Sequence, residues 1–192
     1  MILNYLIHQS KMPSGLMGRM MMAIWNKSYL PMVKWSLNFV RTTQVQQILD
    51  VGVGNGKSTA YLSSVFPGAE IHGLDISPTA IQEAKKLEVA GQLDFTVSAI
   101  EQTDFSAESF DLVCGFQTHF HWDDLVAGLN EIHRLLKEQG QLLLACEQSK
   151  LDYFLPQMKT TEDFQSFIQP LGFQLLASHQ KGPWIAYSCQ KI

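Results

Sequence analysis

The sequence predicts an α/β protein built on a doubly wound, seven-stranded, mostly parallel sheet that closes with an antiparallel C-terminal hairpin. Three observations lead there. Short apolar runs alternate with helical patterns from residue 47 onward. The first run breaks into a turn with a glycine at every second position, Gly52, Gly54 and Gly56, directly before a helical pattern. The last two runs are parted only by Lys181-Gly182-Pro183, which suits a hairpin and is too short for a crossover.

Size and composition set the frame. With 192 residues the chain holds one core domain, residues 46–192, and a small N-terminal helical cap, residues 1–45. Apolar residues at 46% and charged residues at 17% describe an ordinary globular protein. A net charge of −4 without any dense Lys/Arg run gives no footing for nucleic acid. Cys114, Cys146 and Cys189 stand apart inside apolar runs with no metal-ligand spacing, so they read as buried reduced thiols and no metal is expected. Met1 to His8 lacks the pattern of a signal peptide, and no apolar stretch has the length of a membrane span. The expectation is a cytoplasmic protein, monomer or homodimer, without a membrane partner.

The cap segment carries seven of the eight methionines, together with Trp25 and Trp35. Lys11 to Arg19 reads as a loop, because Pro13, Gly15 and Gly18 interrupt a helix. Met20–Lys27 and Met32–Val40 read as two short helices parted near Pro31. Methionine suits a cap over a varied pocket, and a helix covering the sheet edge needs the same residues.

Gln47 to Val51 is a buried strand, and the helix Lys57 to Phe66 follows its glycine turn. Glycine permits positive φ and close backbone approach, and the turn presents N–H groups at a helix start. Ala69 to Ile76 is a second strand with Asp75 near its carboxyl end, where ligands of open α/β sheets sit. An acid there can accept hydrogen bonds from both hydroxyls of a ribose. Ser77-Pro78 opens a helix running to Glu88. Leu93–Ser98 is a third strand. Phe110–Phe116 is a fourth, apolar enough to be covered on both faces. A helix from about Asp123, with Leu125, Leu129, Ile132 and Leu136 on one stripe, ends at Lys137-Glu138-Gln139-Gly140. Gln141–Glu147 is the fifth strand, and Thr160 opens a last helix. Gly172–Gln180 and Trp184–Ile192 form the hairpin.

These motifs, in this order, resemble the class I S-adenosylmethionine-dependent methyltransferases with their Rossmann-like fold. Leu49-Asp50-Val51-Gly52-Val53-Gly54-Asn55-Gly56 matches the family's first motif, Asp75 its ribose-binding acid, Phe110-Asp111-Leu112-Val113 its fourth strand, and Glu131 to Lys137 its E-x-x-R-x-L-K helix ending. The Pro13–Gly18 segment and Thr118-His119-Phe120-His121-Trp122 also look like small bacterial members whose acceptors are unassigned. A dinucleotide fold is the weaker match, since its G-x-G-x-x-G spacing is absent.

The resemblance implies S-adenosylmethionine as cofactor, held by Asp50, Gly52, Gly54, Asn55, Gly56, Asp75, Ile76, Ala99, Ile100 and Phe116. Ala99 stands where the family commonly has an acid for the adenine amino group, a loss worth about 1 kcal/mol. Glu101 and Gln102 are neighbouring substitutes. Methyl transfer is an in-line displacement, so the protein chiefly positions the nucleophile. A base helps when the acceptor arrives protonated. His119 and His121 are the candidates, with one of the two facing the pocket. Phe120 and Trp122 are candidate acceptor-pocket walls. Glu147 and Arg19 are candidates to contact the acceptor or each other. The acceptor is expected to be a small molecule methylated on oxygen or nitrogen. The competing expectation is a degenerate methyltransferase fold that binds cofactor or a partner without catalysis.

Overall fold

The computed structural model describes residues 11–42 and 44–192, without the side chains of Leu16, Ala23 and Asn26. Helix α1, Gly15–Ser36, is one unbroken helix. Neither the expected loop through Arg19 nor the break near Pro31 exists. Gly18 N–H already bonds the Ser14 carbonyl, which starts the helix at Gly15. Pro31 and Lys27 are exposed, so the carbonyl that loses its donor at Pro31 faces water and the helix continues.

Strand β1, Gln47–Val51, leads through the glycine turn into α2, Lys57–Val65. Strand β2, Glu70–Asp75, leads into α3, Pro78–Ala84, whose cap Ser77 accepts from Ala80 N–H at 3.1 Å. Strands β3, Leu93–Val97, and β4, Phe110–Phe116, follow. Helix α4, Leu125–Leu135, is capped by Asp124, which accepts from Ala127 N–H at 2.9 Å. It stops five residues short of the expected end. Leu136 already pairs with Phe110 in β5, Leu136–Glu147, and the left-handed Gln139 (φ 63°) turns within that strand. Helix α5, Gln148–Phe154, has no sequence expectation behind it. Helix α6, Thr161–Ile168, opens with a capping box between Thr160 and Asp163. Strands β6, Phe173–Lys181, and β7, Trp184–Lys191, complete the hairpin.

The seven strands run in the order β3-β2-β1-β4-β5-β7-β6, and only β7 is antiparallel to its neighbours. Their side chains alternate between two cores, as the two-residue period requires. Leu49, Val113 and Leu142 pack under α4, α5 and α6 with Leu129, Ile132 and Phe164. Ile48, Leu112 and Leu143 face the other way, into Met32, Val33, Leu62 and Ile81 of α1–α3. Each such fully buried aliphatic side chain contributes roughly 2 kcal/mol. The second half of α1 is therefore part of the core, while its first half reaches past the sheet.

Two family signatures are structural clamps. Asp111 accepts from the Gln46 and Gln47 N–H groups, each at 2.9 Å, and from Lys137 at 2.7 Å, tying β4 to the start of β1. Glu131 accepts from Arg134 and from Thr103, while Arg134 donates to the Phe105 carbonyl, so the polar 101–109 connection is tied to α4. The strand order reverses between β1 and β4, which opens a crevice at their carboxyl ends. The site lies there.

Candidate functional site

The turn after β1 is left-handed at every glycine: φ is 76° at Gly52, 56° at Gly54 and 79° at Gly56. The three glycines do different things. A Cβ on Gly52 would sit 2.1 Å from Thr118 Oγ1, so only glycine lets the end of β4 close against the turn. A Cβ on Gly56 would meet Phe95 Cζ at 2.8 Å and Ala84 Cβ at 3.0 Å, so this glycine serves helix–strand packing. Gly54 has only Met22 Sδ near its missing Cβ, at 3.9 Å, because it opens into a cavity.

That cavity, about 200 Å³, spans the carboxyl ends of four strands. One half is walled by Gly52, Val53, Gly54 and Asn55 of the turn, Asp75 and Ile76 beyond β2, and Ser98, Ile100 and Glu101 beyond β3. The other half is walled by Phe116, Gln117, Phe120, His121 and Trp122 beyond β4 and by Lys150 of α5. Met22, Trp25, Tyr29 and Val33 of α1 form its roof. The N-terminal strap is tied down at two points: Pro13 C=O accepts from Ser77 Oγ at 2.5 Å, and Lys11 ion-pairs Asp123.

Two carboxyls govern the turn. Asp75 accepts from Gly54 N–H at 2.9 Å and Ser77 N–H at 2.8 Å, so it clasps the glycine turn while facing the cavity. Burial pushes it up to about 6, with those two N–H groups pulling the other way. Asp50 lies beneath, accepting from Thr59 Oγ1 at 2.8 Å and Ser58 Oγ at 3.3 Å. Burial pushes it up to about 7; the two hydroxyls oppose this and the Asp75 charge adds to it. Asp50 and Gly56 do not line the cavity. They hold the turn from behind.

The two histidines separate. His119–His121 is a 3-10 turn of about 120° per residue, so positions i and i+2 face different ways. His121 lines the cavity. Burial, then the charges of Lys150 and Lys11, bring its ring down to about 4. His119 is buried behind the wall, 1% exposed, with Nε2 3.9 Å from Cys146 Sγ and Nδ1 unpaired among the described residues. Burial, aided by His121, lowers it to about 3. Phe120 and Trp122 do line the cavity. Phe120 stacks on Phe154, and Trp122 Nε1–H donates to Thr118 Oγ1 at 3.3 Å.

Three further candidates lie off the cavity. Ala99 is exposed, while Ser98 and Ile100 on either side of it reach the wall. Glu101 is at the wall, held by the Asp123 and Asp124 N–H groups. Arg19 binds Gln82 and Glu83 instead of Glu147. Glu147 sits beside Tyr29, whose phenol is pushed up to about 12 by burial and then by that carboxylate.

Several wall residues escaped the sequence reading. Met22, Trp25, Tyr29 and Val33 are spaced three or four apart, a stripe visible only if α1 is continuous through Pro31. Lys150 lies on the unforeseen α5. Gln117 is left-handed (φ 59°), and its Nε2 is buried without a partner among the described residues. No pattern in the sequence announces that strain.

An open sheet in this order, with a glycine turn at the reversal point and an acid closing the next strand, has the layout of the class I methyltransferase fold. A family model described as "Methyltransferase domain" matches residues 49–144. The chain belongs to the class I S-adenosylmethionine-dependent methyltransferases. Among curated relatives it is similar to an O-methyltransferase of Aspergillus sclerotiorum, 28% identical over 148 residues, covering 68% of this chain and 56% of that protein. It is also similar to the chloroplastic tocopherol O-methyltransferase of Arabidopsis thaliana, 26% identical over 179 residues, covering 77% and 51%. The chain thus spans about half the length of these relatives. Among solved structures it resembles a Haloferax volcanii methyltransferase in complex with its Trm112 activator, with TM-score 0.77, 16% identity, and 88% and 93% of the two chains covered. It resembles the [4+2]-cyclase SpnF as well, with TM-score 0.70, 13% identity, and 84% and 80% covered. The fold alone therefore does not fix the reaction.

The described residues fit an adenosyl sulfonium. The turn is left-handed at all three glycines, Gly54 opens into the cavity with no side chain of its own to fill it, and a buried carboxyl stands at the end of β2. Among the described residues no cluster of three His, Cys, Asp or Glu side chains could hold a metal ion, and no helix is long and apolar enough to cross a membrane.

Proposed function

We propose that the protein transfers a methyl group from S-adenosylmethionine to the oxygen or nitrogen of a small-molecule acceptor. The observation that carries this is the two-part cavity. One side offers the glycine turn and Asp75, and the other side of the same cavity is lined by Phe120 and Trp122 with His121. When bound, S-adenosylmethionine supplies an activated methyl group on a sulfonium.

The chain's residues do the rest. Asp75 offers its remaining lone pairs to the ribose hydroxyls, with its position fixed by Gly54 and Ser77. Ile76, Ile100 and Phe116 give the adenosine apolar walls. Phe120 and Trp122 hold the acceptor and exclude water, and their ring faces would suit the positive charge of a bound sulfonium through cation–π contact. His121, neutral near pH 7, accepts a hydrogen bond from an acceptor O–H or N–H and orients its lone pair. His119 supports that turn from behind without touching the reactants. The strap 11–13 and the first half of α1 serve as the lid, with residues 46–192 as the catalytic body.

The small cavity, the sequence's net charge of −4 and the O-methyltransferase relatives all support a small acceptor over nucleic acid. The test is release of S-adenosylhomocysteine with a panel of phenols, catechols and amines. Acceptor-dependent release supports the reading. Micromolar cofactor binding with no release for any acceptor supports a non-catalytic cofactor-binding subunit instead.

A further inference from the structure

The acceptor half of the cavity holds a cation, Lys150, that no carboxylate among the described residues pairs. Lys150, on α5 beyond β5, is half-buried in the wall. The acids of the same cavity are all engaged: Asp75 by two backbone N–H groups, Glu101 by two more, and Asp123 by Lys11. Among the described residues no carboxylate lies within ion-pair distance of Lys150, and residues 1–10 contain no acid. The same cavity is lined by the aromatic rings of Trp25, Phe120 and Trp122, and the charge of Lys150 acts on the His121 ring. An arriving anion would give this ammonium the counter-charge that the described residues do not supply, in a charge-assisted hydrogen bond.

We infer that the methyl acceptor carries an oxyanion, a carboxylate in the simplest case, on an apolar body, and that Lys150 receives the oxyanion. This rests on the small-molecule reading above and narrows it. Position separates this anion from the adenosine end of the cofactor. Asp75 closes β2 and Lys150 follows β5, and β2-β1-β4-β5 are successive neighbours, so about 14 Å of sheet lies between the two strand ends. Lys150 and His121 line the same cavity, and the charge of Lys150 acts on the His121 ring.

The probes are 2-naphthoate and its neutral isostere 2-naphthamide, titrated by calorimetry into protein saturated with S-adenosylhomocysteine. The naphthoate should bind about tenfold tighter or more, and Lys150→Met should erase that preference while Lys150→Arg retains it. S-adenosylhomocysteine affinity of Lys150→Met should stay within about twofold of the unsubstituted protein. Equal binding of the two probes, no binding of either, or a preference that survives Lys150→Met overturns the inference. A large loss of S-adenosylhomocysteine affinity in Lys150→Met assigns Lys150 to the cofactor's own carboxylate and overturns it too. Turnover of a neutral acceptor, unchanged in Lys150→Met, sinks this inference and leaves methyl transfer standing.

Discussion

Replacing Gly54 and Gly56 by alanine, one at a time, separates what the turn does for a ligand from what it does for the fold. Both positions are left-handed, at φ 56° and 79°, and a side chain there costs about 1–2 kcal/mol of backbone strain. Their surroundings then diverge. At Gly56 the new methyl meets Phe95 Cζ at 2.8 Å and the Ala84 backbone Cα at 3.1 Å, so overpacking adds about 1–3 kcal/mol. At Gly54 nothing lies closer than Met22 Sδ at 3.9 Å, and stability loses the strain alone. The methyl of Gly54→Ala projects into the cavity, however, where the cofactor is expected to lie against the turn. Urea unfolding and calorimetry with S-adenosylhomocysteine read the two effects apart. Gly56→Ala should lose roughly 2–5 kcal/mol of stability and, where folded, bind normally. Gly54→Ala should lose about 1–2 kcal/mol of stability and at least about tenfold in affinity. Normal affinity in Gly54→Ala, or equal stability losses in the pair, would refute the division of labour.

The histidines give a second contrast. His121→Ala should lower turnover about tenfold or more with cofactor affinity unchanged, because His121 faces the chamber. His119→Ala should instead lower stability by about 2 kcal/mol through a buried void, seen as a shift in the urea midpoint. If His119→Ala alone lost turnover, their roles would be reversed. Asp50 gives a pH signature. Its folded value of about 7 lies above the unfolded value near 3.9, so the folded state holds that proton more tightly. Stability from this group is present below about pH 4 and is lost as pH rises toward 7, by about 4 kcal/mol. Asp75 acts in the same direction, while His119 and His121, lowered by burial, gain stability over much of the same range. The readout is therefore a difference. Asp50→Asn should gain stability relative to the unsubstituted protein between pH 5 and pH 8, and a difference independent of pH would contradict the burial argument.

The strands and the turn were legible because local chemistry and global position agree there. Glycines at positive φ, an acid ending β2 and a Ser-Pro cap at α3 are each decided within a few residues. The Thr160 cap and the short connection to β7 were legible for the same reason. Where the reading departed, a neighbour far along the chain decided. Pro31 does not break α1, because Met32 and Val33 beyond it are anchored in the sheet core. Leu136 leaves α4 early because Phe110 offers it a strand partner. Arg19 turns to Glu83 across 64 residues, and a sequence pattern cannot see that pairing. The two histidines follow β4 in a 3-10 turn, which separates the group at the cavity from the group in the core.

The most direct measurement is a crystal structure of the protein with S-adenosylhomocysteine. The ribose should lie against the Asp75 carboxylate, with the adenosine over Ile76 and Ile100 and the sulfur directed toward Phe116 and His121. Density for the compound anywhere else, or none at saturating concentration, would contradict the account.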